Sequence, residues 1–304
     1  MTKFSVLCSV YKNDNPVHLD QALSSISVDQ TLGPNEIIII KDGLVEKALN
    51  KVIKKHVESL PEIFKVFGYK KNRGLGYALN YGLNKCSNEI VFRMDADDIS
   101  LPSRFEKQMN CFKLNPKIAI IGTNIDEFNL CPGDLNQKRT APLTSEKIQK
   151  TLPRRSPFNH MTVGFKKSVV MNVGSYKDMP SYEDYYLWVR ILKNNDGLNL
   201  EESLVYARIG NDMIGRRHGL SFFFKEIAFQ NRLLFEGYQN IYSWLINIVL
   251  RAPVRLLPKK LLGFFYKKIL SYGNHQSCVY KGLLSQSFQN SYLYLFLILY
   301  KYIF

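Results

Sequence analysis

The chain has no Cys-x-x-Cys pair: its five cysteines, Cys8, Cys86, Cys111, Cys131 and Cys278, are scattered and odd in number. That argues against a disulfide framework and a cysteine zinc site, and fits a reducing compartment. Uninterrupted apolar runs of about 18 residues are lacking, so no transmembrane span is expected. The opening MTKFSVLCSVYKND has no long apolar core and turns polar by Lys12, unlike a signal peptide. A cytoplasmic protein is the expectation. Internal repeats and low-complexity linkers are also missing.

What is present is a 304-residue, 46% hydrophobic globular composition with a net charge of +15. The charge is uneven. Residues 1–204 hold 28 Lys/Arg against 23 Asp/Glu, whereas residues 205–304 hold 13 against 3. Such asymmetry points to an anionic partner, nucleic acid or lipid.

Over the first half, short β-rich runs alternate with helical patterns. Phe4 to Val10, Glu36 to Ile40, Phe64 to Tyr69 and Glu89 to Met94 read as strands. Pro16 to Val28, Leu44 to Glu58 and Gly74 to Lys85 read as helices between them. This rhythm predicts an α/β fold with a mostly parallel sheet flanked by helices, whose ligands bind beyond the strands' carboxyl ends. Residues 11–14, 42–43, 70–76 and 95–98 would line that edge. From about Ala141 to Gly210 the pattern loosens. Beyond it the chain is helical, basic and aromatic, ending in SYLYLFLILYKYIF.

The stretch FRMDADD packs Asp95, Asp97 and Asp98 together at a strand end. An EF-hand loop fails there, because Ile99 and Ser100 occupy its fifth and sixth positions and Pro102 interrupts it. Two readings remain. One is an acidic turn compensating the start of the following helix. The other is a divalent-metal site shared with a diphosphate, since Mg²⁺ or Mn²⁺ takes one or two carboxylates and completes its shell with phosphate oxygens and water.

In order along the chain, SVYKND, IIIIKDG, NRGLGYALNYGL, RMDADD and YEDYYLWVRIL resemble the motifs of the GT-A glycosyltransferases of family 2, over about residues 3–220. These are inverting enzymes that use nucleotide sugars. The nearest resemblance is to bacterial O-antigen and exopolysaccharide transferases, of the amylovoran type, that form β1,3 links from UDP-glucose or UDP-galactose onto undecaprenyl-diphosphate-linked sugars. It implies a GT-A catalytic domain at 1–220 and a helical, basic extension at 221–304 that associates with a membrane.

The resemblance also assigns roles. Ser9, Val10 and Tyr11 would face uridine, Asp14 would accept from the ribose or base, and Asp42 would accept the uracil N3 hydrogen. Asn72, Arg73 and Asn80 would lie beside the nucleotide. Arg93 is either a further contact or a structural partner for the acids. Asp97, with Asp95 assisting, would hold Mn²⁺ or Mg²⁺. Asp184 would be the general base with Glu183 orienting it or holding the acceptor, although both acids also suit a helix N-terminus. His160 would stand near the acceptor, although a lone histidine is more often structural. Arg208, Arg216 and Arg217 would pair with phosphate oxygens. The glutamine-x-x-arginine-tryptophan pattern of processive members is missing, which favours addition of one sugar per encounter.

Two other readings compete. A nucleic-acid-binding protein would explain the basic, aromatic tail, but the acidic clusters and the lack of a recognised binding motif oppose it. An inactive transferase fold on a membrane is opposed by the intact Asp95, Asp97, Asp98 and Asp184. The tail's composition instead suits helices lying in an anionic lipid interface, giving peripheral attachment to the inner face of the cell membrane.

Overall fold

Ile37, Ile38, Ile39 and Ile40 form a run with no solvent exposure on either side of the strand. A strand apolar on both faces belongs inside a sheet covered by helices above and below. In the computed structural model, which describes residues 3–209 and 218–256, that strand lies within a nine-stranded sheet.

The strands are β1 (Phe4–Val10), β2 (Glu36–Asp42), β3 (Phe64–Tyr69), β4 (Ile90–Met94), β5 (Ile99–Ser100), β6 (Ile118–Phe128), β7 (Gln137–Arg139), β8 (Gly164–Lys166) and β9 (Asp196–Arg208). Their order is β3-β2-β1-β4-β8-β6-β9-β5, with β7 paired to β6. The first four are parallel, with β1 between β2 and β4. β8 runs antiparallel to both β4 and β6. The connections thus run outward through β2 and β3, then return to the other side of β1. A ligand crevice opens at such a reversal, beyond the carboxyl ends of β1 and β4.

Helices α1 (Pro16–Ser25), α2 (Lys47–Ser59), α3 (Leu75–Leu83), α4 (Arg104–Leu114), α5 (Ser145–Thr151), α6 (Lys167–Asn172) and α7 (Glu183–Leu192) accompany the sheet. Proline at its start and Asn15, whose side chain accepts the Val17 and His18 N–H groups, begin α1. The pattern from Ser181 to Asn194 predicts an amphipathic helix with Tyr185, Leu187, Trp188 and Ile191 facing inward or sideways. Instead every residue from Tyr185 to Leu192 is buried, because further helices cover its outer side.

Those helices are α8 (Leu220–Phe235) and α9 (Ile241–Arg251). Phe222, Phe229 and Leu233 of α8 share one buried cluster with Tyr182, Tyr185 and Trp188. The expected boundary at 220/221 falls at the start of α8, and the core continues across it. Arg216, Arg217 and the chain from 257 onward lie outside the described residues. Among the described residues no helix is long and apolar enough to cross a membrane.

Candidate active site

At the end of β2 the buried Asp42 accepts four hydrogen bonds from its own chain. Tyr69 Oη at 2.8 Å and the Arg73 N–H at 2.8 Å reach Oδ1, while Asn72 Nδ2 and the Gly74 N–H, each at 3.0 Å, reach Oδ2. Gly43 makes this closure possible: its φ is +87°, and a Cβ there would stand 2.7 Å from the Asn72 nitrogen. Gly74, also at φ +87°, then starts α3. The four acceptor positions of the carboxylate are filled. Accepting a uracil N–H, as expected of Asp42, requires Tyr69 or Asn72 to give way. Arg73 projects outward with its guanidinium 3.6 Å over the Tyr77 ring.

At the end of β1, Ser9 is half-buried, Val10 buried and Tyr11 exposed. Asp14 folds back to accept the Tyr11 N–H at 2.9 Å. Burial raises Asp14 to about 7, and Asp97 and Asp95 push it in the same direction. The carboxyl ends of β1 and β4 therefore form one acidic rim, as the spacing implies.

The end of β4 carries the other carboxylates. Asp95 pairs with Arg93 at 2.6 Å, and Arg93 is fully buried with its Nε and Nη2 lacking acceptors in the chain. Burial, then Asp95, raises Asp97 to about 6. Asp98 is buried and accepts the Arg208 N–H at 2.8 Å, which braces the loop against β9. The Arg208 guanidinium donates to the Asp97 carbonyl (3.1 Å), the Asn129 carbonyl (3.2 Å) and Gln21 Oε1 (3.0 Å), and it lies over the Phe128 ring. Here Arg208 buttresses the acidic loop from behind.

Among the described residues no three His, Cys, Asp or Glu side chains stand together to hold an ion by themselves. Asp95 and Asp97 still fit an Mg²⁺ or Mn²⁺ whose remaining ligands are phosphate oxygens and water. Burial first, and the neighbouring carboxylates second, raise Asp97 and Asp14, and a cation arriving there would relieve the repulsion among them.

On the α3 and α7 side, Gly76 brings the two helix starts together: a Cβ on Gly76 would lie 3.4 Å from Glu183 Cγ. Burial raises the Glu183 carboxyl above its ordinary value. Asp184 follows in the same half-buried turn. Asn80, expected beside the nucleotide, instead pins Tyr176, its Nδ2 donating to the Tyr176 carbonyl at 2.6 Å and its Oδ1 accepting the Tyr176 N–H at 2.8 Å. Tyr176 Oη in turn lies 3.0 Å from His160 Nε2. His160 also packs on Trp188, and burial, then Arg93, holds it well below its usual imidazole value.

Sequence reasoning missed Tyr176 and Arg104. Nothing local marks Tyr176. Arg104 is buried at the start of α4, and it donates to the Arg93 carbonyl at 2.7 Å, tying down the strand that delivers the acids. Burial lowers it to about 9.

Comparison with known proteins shows the family and the fold. The family described as glycosyl transferase family 2 matches residues 5–179. The chain is 40% identical over 269 residues, 88% of this chain and 96% of the relative, to the UDP-Gal:alpha-D-GlcNAc-diphosphoundecaprenol beta-1,3-galactosyltransferase of Escherichia coli. It is 36% identical over 266 residues, 87% of this chain and 98% of the relative, to the amylovoran biosynthesis glycosyltransferase AmsE of Erwinia amylovora. Among solved structures, S. aureus TarS 1-349 in complex with UDP-GlcNAc superposes with a TM-score of 0.61 at 17% identity, covering 82% of this chain and 71% of that one. The mannosyltransferase PcManGT from Pyrobaculum calidifontis, in complex with GDP-Man and Mn2+, also gives 0.61 at 13% identity, covering 98% and 85%. These last two likenesses concern the fold, which is GT-A. Reversed sheet, acidic strand end and matched profile converge on one assignment: the chain belongs to glycosyltransferase family 2.

Proposed function

We propose that this protein is an inverting transferase that moves a hexose, galactose or glucose, from a UDP-sugar to a sugar carried on undecaprenyl diphosphate. The product is a β-link, β1,3 by the relatives' pattern, within an O-antigen or exopolysaccharide repeat unit. The observation that carries this reading is the 40% identity, across 88% of the chain, to a relative whose name states that reaction.

The site's chemistry is consistent with it. The ends of β1 and β2 and the loop that Asp42 organises form the nucleotide side. Asp97 and Asp95 would hold Mn²⁺ or Mg²⁺, an ion that when bound offsets charge on the departing diphosphate. Arg93, through its pair with Asp95, keeps that carboxylate oriented. Asp184 takes the proton from the acceptor hydroxyl as the oxygen attacks the anomeric carbon from the face opposite UDP. An α-linked donor thereby yields a β-linked product. Burial, with Asp184 and Glu183 adding to it, raises the Tyr176 hydroxyl, and this supports reading Tyr176 and its partner His160 as groups on the acceptor side of the base.

The proposed workplace is the inner face of a membrane, held peripherally. Helix α9 supports this by being inverted: it buries Asn247 and Arg251 and exposes Ile241, Tyr242, Leu245, Ile246 and Val249. A helix on a water-facing surface normally does the opposite. Residues 237–304 moreover contain no Asp or Glu, so an anionic leaflet meets no opposing charge there.

Incubation with a panel of UDP-sugars and synthetic sugar-diphosphate-lipids tests the reading. Acceptor-dependent UDP release with one hexose, and a β-linked product by NMR, is expected. UDP release that no lipid-diphosphate acceptor stimulates counts against it. In a parallel arm, a Tyr242→Glu, Leu245→Glu double variant should pellet less with anionic vesicles, and equal pelleting removes the membrane arm.

A further inference from the structure

Tyr182 immediately precedes the two acids at the start of α7. Its ring lies parallel to Phe229 of α8, with centroids 4.4 Å apart at an interplanar angle of 7°. Its hydroxyl donates to Glu226 Oε2 at 2.6 Å. Glu226 is fully buried, and three other groups converge on it: Arg251 Nε at 2.9 Å, Arg255 Nη2 at 3.0 Å and Gln230 Nε2 at 2.9 Å. The Arg255 carbonyl also accepts the Gly219 N–H at 2.8 Å, which ties down the start of α8. A buried ionic cluster is a poor source of stability compared with apolar packing of equal volume. What it supplies is a fixed geometry.

That geometry acts on α7. Ser181, just before Tyr182, holds a left-handed backbone at φ 75°, which few non-glycine residues adopt and which surrounding contacts must enforce. One turn along, Tyr186 donates its hydroxyl to Glu236 at the end of α8. Positions four apart lie on one helix face, so α8 grips α7 by two tyrosine handles. Only the first adjoins Glu183 and Asp184.

We infer that Tyr182 is a positioning residue for the transfer reaction: gripped by Glu226 and Phe229, it sets the direction in which the α7 N-terminus presents Asp184 to the acceptor hydroxyl. This rests on Asp184 being the base. The C-terminal helices thereby act on the chemistry, although none of their side chains described above touches the proposed site.

The test uses the full chain with UDP-sugar donor and lipid-diphosphate acceptor. Tyr182→Phe keeps the stacked ring and removes one hydroxyl. It should lower kcat about 10- to 100-fold, as a misplaced catalytic group does, and leave the donor KM unchanged. Tyr186→Phe, which loses the same kind of bond one turn away, should keep kcat within about twofold for a similar loss of Tm. Should Tyr182→Phe not fold, Phe229→Leu reads the same contact from the other side, with a loss of kcat expected. A kcat within twofold of wild type in the folded Tyr182 or Phe229 variant overturns the inference. So does a loss in both tyrosine variants that merely tracks Tm. Asp184→Asn is measured alongside. If it retains wild-type turnover, the base assignment falls and this inference with it. If it is slow while Tyr182→Phe is normal, only this inference falls.

Discussion

Asp42 Oδ1 accepts the backbone N–H of Arg73 at 2.8 Å, joining the end of β2 to the loop that opens α3 across 31 residues of sequence. The same carboxylate holds the next N–H, that of Gly74, at 3.0 Å. The wall on the proposed nucleotide side is therefore a backbone loop folded around one buried anion.

Replacing Asp42 with Ala should loosen that wall. Buried donors left without an acceptor cost about 1–3 kcal/mol each. Unfolding in urea should show a loss of that order, and calorimetry should show weaker UDP binding. Unchanged UDP affinity in a destabilised variant would separate the loop from the nucleotide.

Asp97→Ala should remain folded and lose about 100-fold or more in turnover, because charge stabilisation worth several kcal/mol is removed. EDTA should do the same to the wild type, with Mn²⁺ or Mg²⁺ restoring it. Full activity of the variant in EDTA refutes the metal assignment.

Asp184→Asn preserves size and removes basicity. UDP affinity should stay the same while turnover falls about 10²- to 10⁴-fold. Turnover within a fewfold of normal moves the base elsewhere, with Glu183 the next candidate.

Two groups should each cost stability in acid, His160 first and Glu226 below it, while the raised Asp14 and Asp97 carboxyls work in the opposite direction. Burial, then Arg93, lowers His160 far below its unfolded value of about 6.5, so the unfolded state binds more protons below that pH. The contribution of His160 is whole above about pH 6.5 and declines as pH drops. Burial alone would raise Glu226, but Arg251 and Arg255 outweigh it and bring the carboxyl to about 2. Its contribution is whole above the unfolded value of about 4.3 and is lost on the way down to about 2. Urea unfolding against pH should show His160→Gln abolishing the first decline only. Glu226→Gln should instead cost about 3–5 kcal/mol at neutral pH, because two buried guanidinium groups lose their anion.

Short stretches of sequence are enough to read the parallel half of the sheet and its acidic edge. Runs such as Phe4 to Val10 and Glu36 to Ile40 are local signals, and each is followed by the polar residues that the ligand edge needs. The five motifs from SVYKND to YEDYYLWVRIL, in that order, likewise carry the resemblance to the family. The remainder depends on contacts between residues far apart in the chain. The pairing of β6 with β9 is long-range and interrupted by register shifts, so no short window shows it. Asn80 reads as a polar residue on a helix until Tyr176 arrives from 96 positions away to occupy both ends of its amide. Burial is the common reason. A carboxylate such as Glu226 reads as a solvated charge in a basic tail, and becomes an anchor for the base-bearing helix only when α7, α8 and the two arginines enclose it and exclude water.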